Sequence, residues 1–72
     1  MYVMDSRVPI SEANEVLGVN FSDREAHTIG GLVTARLRRI PKVGDSIEEA
    51  GFSITVEEAN ERMATRLKVQ LR

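Results

Sequence analysis

Thr28-Ile29-Gly30-Gly31 is the stretch of this chain whose residue types and order could contact an anion. A threonine ahead of an apolar-periodic run caps a helix, and the free amides and dipole of the first turn favour phosphate there. Small residues at 30 and 31 would let the backbone come close, with Thr28, Gly30 and Gly31 as the contacts. The same glycines would also let the helix approach a sheet. Glycine inside a helix costs about 1 kcal/mol against alanine, so a consecutive pair needs a reason, and packing supplies one without a ligand. Neither G-x-G-x-x-G nor a P-loop is present.

Three further groups of residues carry charge or chemistry. Arg36, Arg38, Arg39 and Lys42 form one basic cluster, suited to a polar docking rim or to complementing the end of a helix. Asp45, Glu48, Glu49, Glu57, Glu58 and Glu61 gather carboxylates in the second half of the chain. Hard cations such as Mg²⁺ take oxygen ligands, but these carboxylates show no regular ligand spacing, and no metal ligands are assigned. A solvated acidic edge that discourages strand-to-strand aggregation is the preferred reading. His27 is the one histidine, and it lacks a placed partner for acid–base work. In the position before the cap it is expected to pack on Leu32 as a hydrophobic staple. Serines and threonines fall in caps and turns with no nucleophile–base pairing, so catalytic residues are none and an enzyme is not expected.

Seventy-two residues allow one domain, 1–72, with a small core. A fold of this size buries only roughly 60% of its unfolded surface. With no cysteine, neither a disulfide nor a thiolate metal site can staple it. Ten basic and eleven acidic residues nearly cancel, which argues against a nucleic-acid or anionic-membrane binder. No apolar run approaches the ~20 residues of a membrane span, so direct insertion is not expected. The absence of cysteine fits a reducing, cytoplasmic setting.

The elements that must position these groups follow from periodicity. Tyr2-Val3-Met4 reads as a strand, and Arg7-Val8-Pro9-Ile10 as a second extended segment, because proline restricts the residue before it. Ser11 caps a short helix with Ala13, Val16 and Leu17 on one face, ended by Gly18 in a left-handed conformation. Residues 20–27 form a loop anchored by Phe21. Thr28 opens the second helix, whose stripe of Ile29, Leu32, Val33, Leu37 and Ile40 must face a sheet, and Pro41 ends it. Ser46 to Ala50 is a strand turned by Gly51. Phe52, Ile54 and Val56 then alternate with polar residues, as do Met63, Leu67, Val69 and Leu71. The expected fold is α+β: two helices on one face of a small, mainly antiparallel sheet, in β-β-α-α-β-β-β order.

The ordered string T-x-G-G, eight further residues and then I-P-x-x-G-D resembles the CorC/HlyC transporter-associated domain. The upstream pieces (Tyr2 to Asp5, Val8 to Ile10, Val16-Leu17-Gly18-Val19) and the downstream Gly51-Phe52, Ile54 and Val56 extend the likeness over essentially the whole chain. Three positions depart from the pattern. Ser6 stands where a glycine often closes the first hairpin, Arg38 where another glycine is frequent, and His27 where an acidic residue is common.

The resemblance implies a fold similar to a flavin-binding subdomain of larger oxidases. It also implies a place after a CBS pair, as the C-terminal part of a longer bacterial protein related to magnesium and cobalt efflux or to hemolysin-like membrane proteins. The function expected on that ground is a non-catalytic regulatory domain that docks on its own CBS pair or on a membrane domain, on the cytoplasmic side of an inner membrane. Arg36, Arg38 and Arg39 would form its docking rim. No cofactor is expected; the alternative is FAD or nucleotide binding at Thr28, Gly30 and Gly31. A homo-oligomer joined through an edge strand is a further alternative, and nucleic acid is not an expected partner.

Overall fold

The computed structural model describes all of residues 1–72. The chain runs β1 (Tyr2–Asp5), α1 (Ile10–Leu17), α2 (Ile29–Leu37), β2 (Ser46–Glu49), β3 (Phe52–Ala59) and β4 (Ala64–Leu71). The strands make one antiparallel sheet in the order β1-β4-β3-β2. Strand alternation puts Met4, Ile47, Ile54, Val56, Leu67 and Val69 on the face that the helices cover. Ile10 and Ala13 of α1, Ile29, Leu32 and Val33 of α2, Phe21 from the loop, and Phe52 and Ala64 at the starts of β3 and β4 complete the core. This is the α+β arrangement the periodicity called for.

One expected strand is absent. Arg7 to Ile10 makes only an isolated antiparallel bridge, Pro9 to Thr28, so the order has six elements rather than seven. Proline has no amide to contribute to a ladder, and its φ of −61° suits the entry to a helix. Helix α1 accordingly starts at Ile10, with Pro9 and not Ser11 at the cap. The bridge is flanked by two backbone hydrogen bonds, Ile10 N–H to His27 O at 2.8 Å and Ile29 N–H to Val8 O at 2.9 Å. They hold the starts of the two helices side by side. The buried face of α1 is Ile10 and Ala13, with Leu17 half-buried, whereas Val16 is exposed.

The last hairpin breaks strict alternation twice. Val56 pairs with Leu67, Glu58 with Arg66 and Ala59 with Ala64, so Glu57 is the extra residue on β3 and Thr65 on β4. The paired irregularities turn Ala64 inward, three residues from Leu67, and leave Met63 exposed. Leu71, at the open end of the same strand, is also exposed.

Helix α2 ends earlier than Pro41. Arg38 adopts the left-handed conformation (φ 60°), and its N–H donates to Thr34 O at 2.8 Å. Three residues on, Pro41 is buried in the following loop, and Ile40 has left the helical stripe and is exposed. A side chain in this conformation costs roughly 1–2 kcal/mol, which explains why glycine suits the position. Arg38→Gly should therefore raise unfolding stability by about 0.5–1 kcal/mol, allowing for the extra freedom glycine gives the unfolded chain. Urea unfolding of the two proteins measures it.

Candidate functional site

The start of α2 is built as a sealed junction. Thr28 caps it in extended geometry, and its Oγ1 accepts the Gly31 N–H at 3.0 Å. The Gly30 N–H donates to Ser6 O at 2.9 Å, the Leu32 N–H to Thr28 O at 3.0 Å, and the Ile29 N–H goes to Val8. Each first-turn amide that a phosphate would use already has a protein acceptor. A Cβ added at Gly30 would lie 2.6 Å from the Ser6 Cβ and 2.9 Å from the Ser6 carbonyl oxygen. At Gly31 it would meet the Ala26 Cβ at 2.9 Å. The glycines thus face neighbouring chain, as the packing reading requires. His27 is exposed and does not act as the staple; Ala26 packs against the core instead.

The three arginines of the expected rim have different surroundings. Arg36 bridges two elements, donating from Nη1 to Glu25 Oε1 at 2.7 Å and from Nε to Glu49 Oε1. It ties the 20–27 loop to the sheet edge. Arg39 makes a two-pronged pair with Asp45, both contacts at 2.8 Å. Arg38 is exposed at the helix cap and has no ion-pair partner.

Four of the six gathered carboxylates are each engaged by an arginine. Asp45 pairs with Arg39, Glu48 with Arg72 at 3.0 Å, Glu49 with Arg36 and Glu58 with Arg66 at 3.3 Å. No three His, Asp or Glu side chains converge to hold a metal ion. The single surface depression, of about 260 Å³, is lined by Asp5, Ser6, Arg7, Met63 and Thr65. It falls below the usual range of small-molecule sites.

Two residues position these groups in ways that residue type alone does not show. Asn14, on α1, donates from Nδ2 to Phe21 O at 3.1 Å and accepts the Phe21 N–H on Oδ1 at 2.8 Å, fixing the buried Phe21. Its signal was an amide residue inside a short helix, where it is a poor former. Asp45, expected in the acidic edge and at the end of the I-P-x-x-G-D string, does more. It organises the turn after α2, accepting the Lys42 N–H at 2.8 Å, and its own N–H returns to Lys42 O at 3.0 Å.

The chain matches the transporter-associated domain model, CorC_HlyC, over residues 1–72. It belongs to that family. It is 39% identical over 62 residues to the magnesium and cobalt efflux protein CorC of Buchnera aphidicola (Acyrthosiphon pisum), covering 86% of this chain and 21% of that protein. Against the Escherichia coli K12 protein of the same name the identity is 36% over 62 residues, with the same coverage. The chain thus spans about a fifth of the length of these relatives. Among solved structures, the CorC transporter-associated region of Neisseria meningitidis MC58 superposes with a TM-score of 0.93 at 30% identity, covering 97% of this chain and 86% of that one. A domain from a Xylella fastidiosa Temecula1 hemolysin, solved in complex with Mg²⁺ and Mn²⁺, gives a TM-score of 0.86 at 30% identity, covering 97% and 85%.

Gly30→Ala should destabilise the domain by about 1–3 kcal/mol despite alanine's better helix propensity, since the new methyl meets rigid backbone and Cβ atoms of Ser6. Chemical denaturation checks this, and a stabilised variant would contradict the packing role. The Asp45 carboxyl is held below the ordinary carboxylate range, first by the Arg39 guanidinium and then by the Lys42 amide. A carboxyl depressed in the folded chain adds stability above its unfolded value, about 3.9, and that contribution is lost as pH falls through the folded value. Asp45→Asn should lower Tm at neutral pH, with the gap to the parent protein closing as pH drops below about 4. Thermal melts at stepped pH decide it.

Proposed function

We propose that this domain is a non-catalytic regulatory module of a larger protein of the magnesium and cobalt efflux type. It docks on other parts of that protein, its CBS pair or membrane domain, or on a second subunit. The ligand state of the parent then changes which docked arrangement is populated. In this reading residues 1–72 are one transporter-associated unit of the longer chain, lying on the cytoplasmic side of the membrane. No helix is long and apolar enough to cross a bilayer.

The observation that carries the proposal is the full-length family match, to relatives of which the chain is only about a fifth. A module repeated at that fraction of a longer protein acts through surfaces it shares with the remainder. The family relatives are named for ion efflux, and one similar domain was solved with Mg²⁺ and Mn²⁺. Neither fact gives this chain a resident metal. FAD or nucleotide binding at Thr28, Gly30 and Gly31 is the rival, and it would have to displace the hydrogen bonds to Ser6 and Thr28 that close the helix start.

Arg36, Arg38 and Arg39 are the proposed rim, with Arg38 the cleanest test because its charge is not used inside the domain. In the full-length parent, Arg38→Glu with Arg39→Glu should weaken assembly about tenfold, equivalent to ~1.4 kcal/mol, and reduce resistance to added cobalt. Arg39→Glu, which breaks the pair with Asp45, and Arg36→Glu, which breaks the pairs with Glu25 and Glu49, each need a separate stability measurement. Unchanged assembly and transport in the double variant would remove the rim from the proposal.

A further inference from the structure

Two surface patches share one feature and differ in sign: an exposed apolar side chain flanked by charges that have no ion-pair partner. The first is the loop after α2. Ile40 and Val43 are exposed there, and Arg38 and Lys42 beside them pair with no carboxylate. The second is the outer face of α1. Val16 is exposed; Glu12 lies four residues before it and Glu15 three residues after Glu12, so Glu12 neighbours both on the helix surface. Both carboxylates are exposed and unpaired.

The loop is held in shape before any partner arrives. The two-pronged Arg39–Asp45 pair closes it, Pro41 is buried beneath it, and the Gly44 N–H donates to Val56 O at 2.9 Å. A preformed loop loses little freedom on docking. Arg38 adds a second indication. It stands in a left-handed conformation that disfavours side chains, yet its guanidinium makes no ion pair within the domain.

We propose that the Arg38–Val43 loop of one molecule docks on the Glu12–Val16 face of α1 of a second copy. Ile40 and Val43 would cover Val16 while Arg38 and Lys42 face Glu12 and Glu15. The two surfaces differ, so the contact is head-to-tail and leaves a free loop and a free helix face at the ends. Few side chains take part, which places it among small, weak interfaces that are strengthened when copies are tethered. An anionic bilayer is the less suited partner. Two unpaired cations and two aliphatic side chains fall short of the roughly four to eight basic residues, or the aromatic anchors, of such surfaces. The inference goes beyond the docking function above: if copies do not associate, docking on other parts of the parent is untouched.

The test is ¹⁵N–¹H NMR of the 72-residue domain, raised from about 50 µM to about 2 mM, a range that brackets a weak contact. Saturable shifts are expected at two patches together, 12–16 and 38–43, and they should shrink at about 0.5 M NaCl. Glu12→Lys with Glu15→Lys, and separately Arg38→Glu with Lys42→Glu, should each weaken self-association at least about tenfold. An equimolar mixture of the two variants should restore it. Silence up to the top concentration overturns the proposal, as do shifts confined to the β1 edge or a mixture that fails to associate. Binding of the loop to phosphatidylserine vesicles without self-association overturns it in favour of a membrane partner.

Discussion

The close approach of Ser6 and Gly30 holds the two layers together. Ser6 is almost wholly buried; its N–H donates to Thr65 O at 3.1 Å, and its carbonyl accepts the Gly30 N–H at 2.9 Å. One residue therefore joins the end of β1, the bulged part of β4 and the first turn of α2. The join works only because position 30 has no side chain. With α2 seated this closely, Ile29, Leu32 and Val33 reach the sheet and pack among Ile54, Leu67 and Val69. The bridge at Pro9 and Thr28 extends the same seam to α1, so the helices are aligned by backbone rather than by their own capping alone.

A core of this size leaves the connections to be fixed by polar clamps. Asn14 holds Phe21, Arg36 ties the 20–27 loop to β2, and Asp45 closes the turn between α2 and β2. Exposed ion pairs contribute little singly, commonly below about 1 kcal/mol. Their value here is geometric: each joins elements that the sheet ladder does not, and the two-pronged Arg39–Asp45 pair also fixes orientation. The edges of the sheet are treated differently. Glu49 on β2 is held by Arg36 and Glu48 by Arg72, whereas β1 exposes Tyr2 and Val3.

What the sequence disclosed follows from which interactions are local. Period-two alternation located Phe52, Ile54 and Val56, and helical spacing located Ile29, Leu32 and Val33, all buried as expected. Gly18 and Gly51 take the positive φ their turn positions suggested. The misses come where a distant partner decides. Arg7 to Ile10 looked extended, but a strand needs a neighbour, and Pro9 offers only one bridge. Pro41 looked like a helix stop, yet the chain had already turned at Arg38, a residue that propensity does not favour there. The double bulge at Glu57 and Thr65 exchanges Met63 for Ala64 in the core, an outcome set by register across two strands. At the candidate site, Thr28 and the glycines were legible as a helix start. Whether their amides were free depended on Ser6 and Val8, more than twenty residues away in the chain.

Separating architectural charges from available ones narrows what the surface can do. Arg36, Arg39, Asp45 and Glu49 are bound up in holding elements together, so changing them alters the fold's connections along with any surface they form. Arg38, Lys42, Glu12 and Glu15 carry no such internal duty. With one helix layer on a four-stranded sheet there is little interior to hold a ligand, and the helix start most suited to an anion is closed by its own chain. The charges that remain available lie on the outside. The unpaired charges beside Ile40, Val43 and Val16 are among the parts of that outside whose electrostatics the domain leaves unsatisfied, and a partner of opposite sign would satisfy them without disturbing the clamps that keep the loop in shape.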